Sequence, residues 1–264
     1  MDFFSQIDPL FVISGVVVGT LVGFTGVGGG SLMTPILILV FGIHPASAVG
    51  TDLLYAAATK TAGTAVHGFN KTIDWKVVGL LAAGSIPMTI ITILMIYWLG
   101  VDSKTTQSLI TKVLGLALLL TSLSLFARSY MMRMFEKRFG VLDSSVVSPV
   151  TILVGAVLGV LVTISSVGAG AIGVTALVFL YPKMPAQRIV GSDIAHAVPL
   201  TLLAGLGHWV LGTIDWHMLS SLLVGSIPAI VIASMVSAKV PEKIIRYALG
   251  LILLAVCARF WFLP

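Results

Sequence analysis

The sequence predicts an all-α integral membrane fold made of two inverted-topology repeats. Each repeat carries a glycine-interrupted helical unit, re-entrant or broken, plus three spanning helices. Three observations predict it. The apolar runs are long and unbroken. The motifs of the first half recur about 140 residues later. The loop charges give the two copies opposite orientations.

Of the 264 residues, 58% are hydrophobic and only 9% are charged. A soluble domain carries roughly 25% charged residues, so this chain cannot coat a soluble surface and must turn apolar faces to lipid. In hydrocarbon every backbone polar group needs an internal partner, which leaves helices or closed barrels. The runs 9–27, 46–69, 76–99, 108–127, 149–166, 187–212, 217–238 and 244–262 do not alternate, so helices are expected. Runs 31–42 and 168–182 are short for a span of about 20 residues. Both follow a glycine cluster, so 9–42 and 149–182 are expected to be re-entrant hairpins or pairs of short helices.

The net charge of +5 sits in short loops between apolar runs, not on a basic stripe, so no nucleic-acid partner is expected. Cys257 is the single cysteine, which excludes an internal disulfide and a cysteine-clustered metal site. No metal or cofactor is expected. The segment Met1 to Asp8 holds two Asp and no Lys or Arg, which argues against a cleaved signal peptide.

Loop charges set the orientation. Arg128, Arg133, Lys137 and Arg138 fill one loop, and Lys239, Lys243 and Arg246 another. Lys71 and Lys76 flank a third, and Lys183 and Arg188 a fourth. Placing all four in the cytoplasm puts 11 of the 15 basic residues inside. Lys104, Lys112 and Arg259 then lie outside, and both termini are expected to be extracytoplasmic. The expected organisation is a first repeat over 1–130, a cytoplasmic basic linker over 131–148 and a second repeat over 149–264.

The repeat is read residue by residue. Gly19 matches Gly159, and Val27-Gly28-Gly29-Gly30 matches Val167-Gly168-Ala169-Gly170, at an offset of 140. One inserted residue near Pro185 moves the offset to 141. Gly50-Thr51-Asp52 then matches Gly191-Ser192-Asp193, and His67 matches His208. Ile73-Asp74-Trp75 matches Ile214-Asp215-Trp216, and Gly84-Ser85-Ile86-Pro87 matches Gly225-Ser226-Ile227-Pro228. The Asp74 loop is basic and its partner at Asp215 is not, so the copies are expected to be inverted. Inverted repeats with interrupted helices point to a secondary-transporter site near the bilayer midplane.

Gly23, Gly26, Gly28, Gly29 and Gly30 crowd one turn. Gly168, Gly170 and Gly173 crowd its counterpart, flanked by Ser165 and Ser166. Breaks here would aim the N-termini of the following helices, near Ser31 and Ala171, into the protein. Free N–H groups and the helix dipole make such an end an anion site. The competing reading is close helix packing through small residues. The candidate substrate residues are Gly28, Gly29, Gly30, Ser31, Ser165, Ser166, Gly168, Ala169, Gly170 and Lys60. Gly168 to Gly173 also matches a dinucleotide fingerprint, with Asp193 20 residues on. That match is rejected, because it lies between membrane runs and its repeat partner has Met33 in place of the third glycine.

Charged residues inside spans are costly and are functional candidates by default. Asp52 and Asp193 each fall about two turns into a span. Lys60 lies eight residues beyond Asp52, about 12 Å along a helix, and its repeat partner is Thr201. Asp52, Asp193, His67 and His208 are candidate coupling residues. The competing readings are helix capping beside Gly50 and Gly191 for the aspartates, and polar span ends for the histidines. Trp75 and Trp216 read as interfacial anchors and Pro87 and Pro228 as kinks.

The Gly-Val-Gly-Gly-Gly-Ser turn at 26–31 with Pro35, the Ala-Val-Gly-Thr stretch at 48–51, the Ile-Asp-Trp loops and their second copies resemble the TauE/SafE family of membrane permeases, often labelled sulfite exporters. The resemblance covers nearly the whole chain. It implies an inner-membrane permease for sulfur-containing anions such as sulfite or organosulfonates, with protons as possible coupling ions. The family commonly has Ser after Gly-Thr, where this chain has Asp52 and Asp193. A carboxylate in an anion path requires protonation or a paired cation.

The expected function is a secondary transporter for small anions working by alternating access. Its partners are a small anionic substrate and the lipid bilayer, with a homo-oligomer as an option. Uptake, or a non-sulfur organic anion, is the alternative within transport. A membrane-embedded enzyme is the alternative of another class. It lacks support because the chain has no His-Glu-x-x-His, and Gly29-Gly30-Ser31 is followed by Leu32 rather than Gly.

Overall fold

The computed structural model describes residues 7–25, 30–138, 144–236 and 242–262. The described residues form helices and no strands. They are α1 (Pro9–Thr25), α2 (Gly30–Leu39), α3 (Pro45–Phe69), α4 (Trp75–Leu99), α5 (Lys104–Arg138), α6 (Ser144–Ser165), α7 (Ala171–Leu180), α8 (Ala186–Val210), α9 (Trp216–Val236) and α10 (Glu242–Phe262). Each expected apolar run is a helix. Among the described residues, five helices are long and apolar enough to cross a membrane: Trp75–Leu99, Lys104–Ala127, Val146–Ser165, Ala186–Val210 and Trp216–Ala233.

Helices α1 and α6 are each followed by a short helix of ten residues, α2 and α7. Both short helices double back along the helix before them. The Phe11 and Phe41 rings, one from each arm, sit 4.7 Å apart. At the same positions plus 140, the Thr151 hydroxyl meets the Tyr181 hydroxyl at 2.9 Å.

The Ile-Asp-Trp motifs are helix starts. The Asp74 carboxylate accepts from the backbone N–H of Lys76 and Val77 at the start of α4. The Asp215 carboxylate accepts from Met218 N–H at 2.9 Å at the start of α9. Such caps satisfy donors that the first turn leaves free. Trp75 and Trp216, the first helical residues, are 66% and 53% exposed, which suits rings standing at an interface. Pro87 and Pro228 both lie within continuous helices.

The halves interlock. Helix α1 packs on α9, and α4 packs on α6, its counterpart under the repeat register. Helices α3 and α8 pack on each other, and so do α5 and α10. Glycine permits the closest approaches. A methyl group on Gly84 would meet the Ile152 carbonyl, and one on Gly225 would meet the Val12 carbonyl, the equivalent atom. Such backbone contacts cannot move aside cheaply. The outer faces stay apolar, as at Ile90, Ile91, Leu94 and Trp98.

Replacing Gly84 or Gly225 by Ala will lower stability by about 1–3 kcal/mol. The loss is read as a lower thermal unfolding midpoint of the detergent-solubilised protein, and the two variants will shift it in the same direction.

Candidate functional site

The site is built where the antiparallel pair α3 and α8 meets the turn between α6 and α7. In that turn Ser166 takes the left-handed conformation at φ 58, and Gly168 and Gly170 both have φ 126. Glycine adopts such angles without strain. Ser165 closes the end of α6. Its hydroxyl donates to the Leu161 carbonyl, and its oxygen accepts from Val167 N–H at 3.2 Å. Gly170 is the N-cap of α7 and has no side chain to cap it.

Charge comes from the long helices. Lys60 of α3 is 7% exposed, and its Nζ donates to the Ala169 carbonyl at 3.1 Å. It interacts electrostatically with Asp193 first and Asp52 second. Asp193 is 1% exposed. The Gly170 N–H faces its carboxylate. Neither of its oxygens reaches regular hydrogen-bond geometry with a described residue. Gly173 makes room for it, because a methyl group there would overlap Asp193 Oδ1.

Asp52 of α3 is fully buried and occupies the matching place against α2. Its Oδ2 accepts from the Thr34 hydroxyl at 2.5 Å. The Ser166 hydroxyl lies beside the carboxylate. Asp52 Oδ1 and Ser166 Oγ complete no hydrogen bond among the described residues. One cation thus stands between two carboxylates, and each carboxylate is set against the first turns of a short helix.

Of the expected substrate residues, the structure gathers Lys60, Ser166, Ala169 and Gly170 around Asp52 and Asp193. Ser165 and Gly168 shape the turn. Gly30 opens α2, and Ser31 is 7% exposed in its first turn. Gly28 and Gly29 lie outside the described residues, as does Lys239.

His67 and His208 stand apart as loop tethers. His67 Nδ1 pairs with the Thr72 hydroxyl at 2.8 Å, and His208 Nδ1 with the Thr213 hydroxyl at 3.1 Å. They pack against Gly191 and Gly50, two residues from Asp193 and Asp52. The tethered loops cross between halves. Asp74 N–H donates to the Ser192 hydroxyl at 2.8 Å, and Asp215 N–H to the Thr51 hydroxyl at 3.1 Å.

Two buried residues at the site went unremarked in the sequence. His196, three residues after Asp193, bonds through Nε2 to the Ser85 hydroxyl at 2.9 Å, and Lys60 acts on its ring. Tyr55, three residues after Asp52, lies beside Ser226 and interacts with Asp52. These pairs are equivalent under the repeat. The signal was an aromatic or imidazole ring three residues after each aspartate, hence on the same helix face.

On one surface, Asp74, Lys76, Lys183 and Arg188 line a cleft of about 460 Å³ with Leu80 and Tyr181. Arg188 and Asp74 form an ion pair at 3.8 Å across it. The loop charges of Lys76, Lys183 and Arg188 thus collect on one surface.

A family model described as sulfite exporter TauE/SafE matches residues 11–260. The chain is 37% identical over 244 residues to the probable membrane transporter protein YjnA of Bacillus subtilis (strain 168), across 92% of this chain and 95% of the relative. It is 27% identical over 250 residues to a probable membrane transporter protein of Methanocaldococcus jannaschii, across 89% and 87% of the two chains. A further relative, from Xylella fastidiosa (strain 9a5c), is 26% identical over 258 residues and also carries the name probable membrane transporter protein. No solved structure gives a significant match.

Gly173→Ala will place a methyl group where the Asp193 carboxylate lies. A loss of about 1–3 kcal/mol in stability is expected, measured as a fall in the thermal unfolding midpoint that Asp193→Ala in the same chain partly restores.

Proposed function

The chain belongs to the sulfite exporter TauE/SafE family, and we propose that it is a secondary transporter for small, sulfur-containing anions such as sulfite or sulfonates. The observation that carries this is the buried cluster of Lys60, Asp52 and Asp193 against the starts of α2 and α7. Helix starts offer free N–H groups and a positive dipole end, which favour an anion. Lys60 supplies the one buried Lys or Arg cation among the described residues. Charges in the hydrocarbon layer are retained where they line an ion path.

In this reading the membrane holds two inverted repeats, 1–130 and 149–264, joined by the basic segment 131–148. The matching contacts of α1 on α9 and α4 on α6 support a pseudo-twofold arrangement. The units α1–α2 and α6–α7 are re-entrant. Alternating access then opens the shared centre to one side at a time. The surface bearing Lys76, Lys183 and Arg188 faces the cytoplasm, and both termini face outward. The cationic cleft there favours collection of anions from inside, hence export across the inner membrane. Asp52 and Asp193 couple anion movement to protons, and His67 and His208 hold the loops against the helices that carry those carboxylates.

Reconstituted into proteoliposomes, the protein will carry radiolabelled sulfite or methanesulfonate at a rate well above protein-free vesicles. Lys60→Gln will cut that flux at least tenfold without loss of folded protein. Flux of neither anion by the well-folded wild type rules out this function.

A further inference from the structure

The sequence expects an anion at the start of α7, and the structure already places a carboxyl group there. Asp193 reaches across from α8, its carboxylate faces the Gly170 N–H, and Gly173 is open to receive it. It is 1% exposed, and neither oxygen completes a regular hydrogen bond with a described residue. A buried carboxylate held this loosely is at odds with a purely structural cap, because caps persist through the bonds they make. Asp52, its repeat partner, is bound firmly by the Thr34 hydroxyl at 2.5 Å. The two aspartates therefore differ in how easily they leave.

We propose that the Asp193 carboxylate is an internal competitor of the transported anion: it fills the start of α7, and the anion enters there only when Asp193 takes up a proton and withdraws. The assignment rests on the anion-permease reading above. It resolves why an anion path carries an acidic side chain. The helix start and Lys60 need one negative partner, and either Asp193 or the guest supplies it. With a monovalent guest, one proton is bound for each anion bound. The charge of the centre is then the same before and after exchange. Proton and anion enter together and leave together, so net transport of such an anion moves no charge.

The groups around Asp193 define the alternatives. Lys60 of α3 faces it, with Asp52 behind. His67 of α3 stands against Gly191, two residues earlier. His196, one turn later on α8, has its ring bonded to Ser85 of α4. Helix α7 contributes Gly170 and Gly173, and Leu158 of α6 packs beside Gly173. None of these last three titrates.

Binding of sulfite and of methanesulfonate to the purified protein, measured by calorimetry from pH 5.5 to 8.5, tests the assignment. Methanesulfonate is the informative probe, because its sulfonate keeps its charge throughout. Wild-type affinity for it will weaken as pH rises, approaching tenfold per unit once Asp193 is ionised. Calorimetry in buffers of different ionisation enthalpy will show about one proton taken up per anion, a readout that needs no variant. Asp193→Asn will bind with no such pH dependence and at least tenfold more tightly than wild type at the alkaline end. Weaker binding by Asp193→Asn makes Asp193 a supporting residue and overturns the assignment. A retained pH slope in that variant assigns the proton to Asp52 or a histidine and overturns it equally. Wild-type binding with a flat profile and no proton uptake overturns it while leaving the permease reading intact. A wild type that binds neither probe overturns both.

Discussion

Hydrocarbon offers a backbone amide nothing to bond with, and the architecture of this chain follows from that constraint. A helix may break in such a medium only where protein surrounds the break. The turn between α6 and α7 is such a place, and several of its polar groups are answered. The Ser165 hydroxyl accepts from Val167 N–H, Lys60 donates to the Ala169 carbonyl, and Asp193 faces the Gly170 N–H. The residues that answer the broken backbone are those that make a charged centre. In the proposed function, the cost of interrupting a helix and the means of holding an ion are therefore one feature.

Glycine does two separate jobs in this fold. At Gly168 and Gly170 it permits backbone angles that the turn requires. At Gly84 and Gly225 it lets two helices touch backbone to backbone. The second job crosses the halves, since α4 closes on α6 and α9 on α1. Each half lends a helix to the other, and the tethers from Asp74 to Ser192 and from Asp215 to Thr51 repeat that exchange at the loops. The centre thus sits between two bodies that share helices.

Much of this was legible in the sequence because membrane helices announce themselves by unbroken apolar runs. The ten runs correspond to ten helices among the described residues, and the short ones are the short helices. The duplication pointed to Asp52 and Asp193, and burial cost pointed to Lys60. Other features were less legible for physical reasons. The Ile-Asp-Trp motif looked like a loop with an anchor, yet its Asp caps a helix, a role fixed by backbone angles rather than composition. His196 and Tyr55 differ in chemistry at equivalent positions, so the repeat did not flag them. Their shared feature is the serine each one meets, Ser85 or Ser226, and that is visible only once α8 lies beside α4 and α3 beside α9.

In the proposed function the two halves face opposite sides of the bilayer, and one centre is thereby reachable from either side in turn. Single cysteines placed at Lys71 and at Gly212, in a chain with Cys257→Ser, test this with a membrane-impermeant thiol reagent on intact cells. The account predicts that the Gly212 position is labelled from outside and that the Lys71 position reacts only after the cells are opened. Labelling of both positions from the same side contradicts it.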